Sequence, residues 1–219
     1  MTLEPLLLSA KLAFCNMVLI PLLAFPPAYF LAFGKCRGKS ILDALITLPM
    51  VIPPTVLGFG LLILMTPSGA VGSTWQSLTG DRLIFSFAGI LFASLVFNLP
   101  FAVQPLRASF EKLDKRLLES AAVLGLSPFQ TFYRVILPNC ISGIVASSIL
   151  VFAHSLGEFG VILMVGGSIP GRTQVASIAI FEAVEALRYD DAIYMSAALV
   201  PVCFIFLLVI NAVNGRQQS

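Results

Sequence analysis

One histidine and one glutamate stand four residues apart in the apolar stretch HSLGEFGVILMV, as His154 and Glu158, with Gly157 and Gly160 flanking the acid. On a helix, that spacing puts both on one face. An ionised group in a membrane helix costs about 2.5–3.5 kcal/mol on insertion scales and normally faces a bundle interior. The pair therefore suits either a proton relay or a gate braced by hydrogen bonds, and a purely packing role for either residue is the alternative. Elsewhere, Pro53 and Pro54 remove two backbone donors from an apolar run. The carbonyls they strand need protein or a water-filled cavity to satisfy them. Asn98 beside Pro100 predicts a similar irregularity. Metal chemistry has no support. His154 is the single histidine, and Cys15, Cys36, Cys140 and Cys203 are scattered without a CxxC pair. They read as small apolar fillers, with neither a metal site nor a disulfide framework.

The elements that must position these residues are membrane helices. The 219 residues are 58% hydrophobic and 11% charged, against roughly 25% charged in soluble domains, and the mean hydropathy is +0.97. This predicts an all-α integral membrane protein with one domain, 1–219, whose solvent is lipid. The opening MTLEP lacks a basic signal-peptide region, and the first apolar run is too long for one. That run is expected to stay in the mature protein. About 20 apolar residues cross a bilayer, and five runs qualify: 6–33, 41–65, 83–103, 135–165 and 193–213. Prolines 21, 26 and 27 are expected to kink the first, and Pro201 lies in the last. Nine of the thirteen Lys and Arg, including Lys35, Arg37, Lys39, Arg107, Arg134 and Arg216, fall on one side of this arrangement. Basic residues are retained in the cytoplasm, so the N-terminus is expected outside and the C-terminus in the cytoplasm. In the outer loop before the fifth run, Val175, Ile178, Phe181, Val184 and Leu187 predict a short amphipathic helix. It could dock an external partner or cap the bundle.

The cytoplasmic loop 107–134 is more than a connection. Leu113, Leu117, Ala121 and Leu124 share a helical face, and Gly125 stands where a helix ends in the left-handed conformation. Ser127, Pro128 and Gln130 then form a start signal, a cap with proline at the first position and the second half of a capping box. Phe129, Phe132, Tyr133 and Ile136 follow at helical spacing. Helix, glycine turn and helix thus run into the fourth span. This could be a well-made loop; a DNA-binding role is disfavoured because the unit is tied to two spans.

Within ESAAVLGLSPFQTFYRVILP (119–138), Glu119, Ala121, Gly125, Leu137 and Pro138 resemble the EAA–G–I–LP signature of ABC importer membrane subunits. Ser120 replaces the first alanine and Val135 the usual isoleucine. Two further stretches, LPMVIPPTVLGFGLL (48–62) and HSLGEFGVILMVGGSIPGRTQ (154–174), resemble permeases for molybdate and, less closely, sulfate. The short five-span length favours the molybdate branch, with tungstate by implication.

The resemblance implies a type I ABC importer permease fold with about five spans and a cytoplasmic coupling helix. It implies a homodimer in a bacterial or archaeal-type inner membrane, two cytoplasmic ATP-binding subunits and an external oxyanion-binding protein. Glu119, Ser120, Ala121, Gly125, Leu137 and Pro138 would couple to the ATPase. Pro53, Pro54, Asn98, His154, Gly157, Glu158 and Gly160 would form the path or gate, with Gly157 and Gly160 allowing close helix approach. An acid would repel an anionic cargo, so Glu158 is expected to brace a closed gate within the dimer and not to hold the anion. The chain lacks a GxxxxGK[ST] phosphate loop. No cofactor is expected in it, ATP-Mg belonging to the partner, and no enzymatic activity. The alternatives are a sulfate/thiosulfate importer permease and a proton-coupled carrier.

Overall fold

The computed structural model describes residues 3–34 and 37–215, and beyond Ile205 only Leu208 has a described side chain. Lys35, Cys36 and Arg216 lie outside the described residues. Twelve α-helices and one π-helical turn account for the described elements. They are α1 (Glu4–Phe33), α2 (Lys39–Val51), α3 (Pro54–Met65), α4 (Ala70–Thr79), α5 (Phe87–Glu111), α6 (Lys115–Val123), α7 (Pro128–Thr131), the π turn (Phe132–Ile136), α8 (Leu137–Asn139), α9 (Ile141–Leu156), α10 (Gly160–Gly166), α11 (Ala176–Glu185) and α12 (Tyr189–Gly215). Among the described residues, α1 and α5 are long and apolar enough to cross a membrane. The pairs α2/α3 and 128–139/α9 qualify only as bent spans.

Helices α1, α5 and α9 form the centre. Ile20, Ala24, Ala28 and Leu31 of α1 meet Ala102, Val103, Leu106 and Phe110 of α5, with Val151 of α9 closing the cluster. Small residues let these backbones approach. A Cβ added at Gly143 of α9 would lie 2.4 Å from the Ser109 Cβ of α5, a separation only glycine permits. Rings fill the end of the bundle nearest the 107–134 loop, where Phe25 packs edge-on against Phe110 with centroids 4.9 Å apart.

Three expectations need correction. The second run is not one straight helix: α2 and α3 diverge by 110°. Ile52 closes α2 by donating to the Leu48 carbonyl, and Pro54 opens α3 at a first-turn position, where a missing N–H costs nothing. The third run is more regular than Pro100 suggests. Capped by Ser86, whose hydroxyl accepts from the Gly89 N–H at 3.1 Å, α5 passes through Pro100 and Pro105 unbroken to Glu111. Asn98 thus sits in continuous helix. The fourth run is divided instead, bending by 65° where 128–139 meets α9 and breaking again before α10. In the first run α1 remains one helix through its three internal prolines. Helix α12 matches the fifth run, with Asp190 and Asp191 in its first turn, where acids complement the helix dipole.

The outer helix α11 is present, but its buried face differs from the expected one. Val175, Ala176, Ile178, Ala179 and Ala183 are buried, while Phe181, Val184 and Leu187 are exposed. Small residues decide this: Ala179 and Ala183 pack onto Ala192 and Met195 of α12, a contact a larger side chain would hold apart.

Candidate translocation site and coupling element

Helix α9 ends at Leu156, and Gly157, Glu158 and Phe159 lie outside helix before α10 starts. The His154–Glu158 pair therefore does not share one helical face, contrary to the four-residue spacing. The two meet through a third residue. His154 Nδ1 lies 2.9 Å from Asn98 Oδ1, and Asn98 Nδ2 donates to Glu158 Oε1 at 2.9 Å. The Ser94 hydroxyl donates to the other carboxylate oxygen. Asn16 of α1 donates to Ser94 Oγ at 2.6 Å and to Ser155 Oγ at 3.1 Å. From α11, Ser177 donates its hydroxyl to the Glu158 carbonyl. Side chains of four elements thus hold the three-residue break. Asn16, Ser94, Ser155 and Ser177 were not among the expected site residues. The available signal was Ser94 and Asn98 at i and i+4 on α5, and Asn16 as a polar interruption of an apolar run.

Glu158 is 4% exposed, and both carboxylate oxygens find partners within the chain. Within the chain it is thus already braced by Ser94 and Asn98. Gly160 does allow close approach, since a Cβ there would come 3.2 Å from Pro54 Cβ at the start of α3. Gly157 is exposed, and within the chain an added Cβ would meet the His154 carbonyl at 3.9 Å. Pro54, His154, Gly157, Glu158 and Gly160 together line a cleft of about 580 Å³. Asn98 stands behind it, and Pro53 precedes α3 as its cap. A second tie joins α2 to α5, where Arg107 pairs with Asp43 and Glu111, each at 2.8 Å.

The 119–138 stretch is built differently. Asp114 caps α6, accepting from the Arg116 N–H at 2.9 Å. At its far end Leu126 donates to the Ala121 carbonyl and Gly125 to that of Ala122, the paired closure of a Schellman motif. Gly125 has φ +69°, as the glycine position predicts. Ser127 and Gln130 complete the capping box, at 3.3 and 2.9 Å. The expected apolar faces need correction. Ala121 is buried, but Leu117 and Leu124 are exposed along with Val123 (89%) and Phe129 (71%). The π turn adds a residue to the repeat, so Tyr133 faces out while Ile136 is buried. Glu119, Ser120 and Pro138 are exposed and Leu137 is half-buried.

The family model described as binding-protein-dependent transport system inner membrane component matches residues 24–218. The chain belongs to this family. It is accordingly a multi-pass membrane component of a binding-protein-dependent transport system. The molybdenum transport system permease protein ModB of Azotobacter vinelandii is 41% identical over 96% of this chain and 92% of its own. ModB of Escherichia coli is 32% identical over 83% and 80%. The sulfate transport system permease protein CysT of Synechocystis is 35% identical over 88% and 68%. In fold, the chain resembles a solved bacterial ABC transporter involved in import of the acidic polysaccharide alginate (TM-score 0.69, 20% identity, 100% of this chain and 82% of that one). It also resembles an amino acid ABC transporter (TM-score 0.61, 16% identity, 96% and 91%). At those identities the likeness concerns the type I permease fold alone, which the all-helical described structure shares.

Proposed function

We propose that this chain is the channel-forming subunit of an ATP-driven importer for molybdate, with tungstate as a close analogue. Two copies pair, two cytoplasmic ATP-binding subunits drive them, and an external protein delivers the oxyanion. The C-terminus lies in the cytoplasm. The observation that carries this reading is the α6–Gly125–α7 element. It is locally capped at each turn, is tied to the central cluster through Leu113 and Leu118, and presents Val123, Leu124 and Phe129 outward. Exposed apolar side chains on a rigid, charged element suit a groove on a soluble motor. Glu119, Ser120, Ala121, Gly125, Leu137 and Pro138 belong to that coupling surface. Pro53, Pro54, Asn98, His154, Glu158 and Gly160 belong to the path, where Glu158 acts as an intrachain brace of the broken span.

The molybdate assignment rests on the A. vinelandii relative and its coverage of nearly the whole chain. Sulfate is the second reading, because sulfate permeases are 30–35% identical across most of the chain. Calorimetric titration of the cognate binding protein with molybdate, tungstate and sulfate separates the two. Preference for sulfate would overturn the molybdate assignment. Co-expression with the cognate ATP-binding subunit tests the coupling surface: the complex should co-purify and hydrolyse ATP faster when loaded binding protein is added.

A further inference from the structure

The cleft at the α9–α10 break has two titratable groups on its walls, His154 and Glu158, and the structure treats them unequally. Both oxygens of Glu158 are occupied by Ser94 and Asn98. His154 uses one nitrogen only. The Asn98 amide nitrogen also donates to the Ser94 backbone carbonyl at 2.9 Å, and a carbonyl can only accept. The Asn98 amide is therefore oriented with its oxygen toward His154, whose Nδ1 must carry the proton. Phe101 stacks on the ring at 4.0 Å and Phe97 packs at 5.4 Å, so the ring cannot turn freely. Nε2, on the edge away from Asn98, has no protein partner among the described residues, and the ring lines the cleft.

We propose that His154 is the substrate-facing polar contact of the cleft. It takes a second proton at Nε2 while the oxyanion is present, the anion compensating that charge, with Glu158 held by Ser94 and Asn98. This rests on reading the chain as an oxyanion permease. Histidine changes charge between about pH 5 and 8, and the cleft's described walls carry no other cationic group. Among the described residues the groups facing His154 and its partner are neutral: Ser94, Phe97, Asn98 and Phe101 from α5, Asn16 from α1 and Thr55 from α3. Helix α12 brings Cys203 to α9 at Phe152 and Leu156, and Glu158 is the one acid. Asn98 presents its oxygen to the imidazole and its N–H to the carboxylate, the dipole direction that supports a cation on one side and an anion on the other. It does so without closing a direct ion pair, so the imidazolium charge stays available to the anion. The proton comes from water in the cleft, bonds to the Nε2 lone pair, and returns to water when the anion leaves.

The test uses the complete transporter, with its ATP-binding subunits and loaded binding protein, reconstituted in lipid vesicles. Molybdate uptake and ATP hydrolysis are measured together between about pH 5 and 8. Wild-type uptake per ATP should fall as pH rises. His154→Gln, which keeps a neutral hydrogen bond to Asn98, should be slower by about tenfold at the acid end, the loss of one charge-assisted contact. Its uptake per ATP should not change with pH. His154→Arg, a permanent cation, should transport well and be equally flat. A His154→Gln transporter with wild-type rate and pH profile overturns the proposal, as does a wild type whose uptake per ATP is flat. A wild type that imports sulfate but not molybdate overturns the substrate assignment alone, and the same profile taken with sulfate then decides His154.

Discussion

Gly125 and Gly157 each follow the end of a helix, yet they stop the chain by different means. Gly125 adopts a left-handed φ of +69°. Every bond that holds its turn comes from residues 114–131, from the Asp114 cap to the Ser127–Gln130 box. Gly157 has φ −97° and no special backbone. Its break is held from a distance, by Ser94, Asn98 and Ser177, up to 64 residues away in sequence, with Asn16 bonding Ser94 behind them. A motif closed by neighbours can stand away from the bundle and meet a partner. A break closed by remote side chains is committed to the interior, and any motion there must move several helices together. The proposed coupling and passage sites therefore draw on opposite kinds of rigidity.

The comparison can be broken most severely at Glu158. Glu158→Lys should abolish assembly, because a buried cation would face the Ser94 and Asn98 donors with no acid to pair with it; membrane yield of full-length protein checks this. Glu158→Gln should fold and lose less, since one amide oxygen still accepts from Asn98 or Ser94. With the brace weakened, ATP hydrolysis without binding protein should rise. Unchanged hydrolysis with lost uptake would instead give Glu158 a direct part in conduction.

Gly125→Val comes next. A left-handed backbone costs an L-residue about 1–2 kcal/mol, and a β-branched side chain resists it further. The fold should survive while co-purification with the ATPase or its stimulation drops; transport at the wild-type rate would remove Gly125 from the coupling surface. Gly125→Asn, which tolerates positive φ, should restore most of the function. Ser127→Ala should weaken only its own cap, by about 1 kcal/mol, seen as faster amide exchange at Phe129 and Gln130 with the bundle unaffected. The smallest effect is expected for Asp43→Asn. The half-exposed pair with Arg107 contributes about 0.2–1 kcal/mol, and Arg107 keeps Glu111, so a thermal midpoint shift of a few degrees at most should result.

The capped α6–Gly125–α7 element was legible because its logic is local. Aspects of it that concern neighbours in sequence, Gly125, Ser127, Pro128 and Gln130, appear in the structure as read. What depended on the bundle did not: Leu113, Leu117, Ala121 and Leu124 share a helical face, but the central cluster meets Leu113 and, off that face, Leu118, while Leu117 and Leu124 stay exposed. The same division runs through the broken spans. Two adjacent prolines announce an interruption, yet whether the chain bends by a few degrees or by 110° depends on what α3 packs against, here α10 through Gly58 and Gly160.

By itself the sequence determined the solvent, the number of apolar runs and the capped turn, because hydropathy, chain length and φ preference are properties of residues and their near neighbours. Only the tertiary structure decided that His154 and Glu158 leave their common helical face and meet through Asn98. The reason is physical. A carboxyl group in an apolar interior is held where donors converge, and the donors stand on α5, with a further bond to the break's backbone from α11. Helical spacing within one segment carries no information about groups that another segment brings within 3 Å.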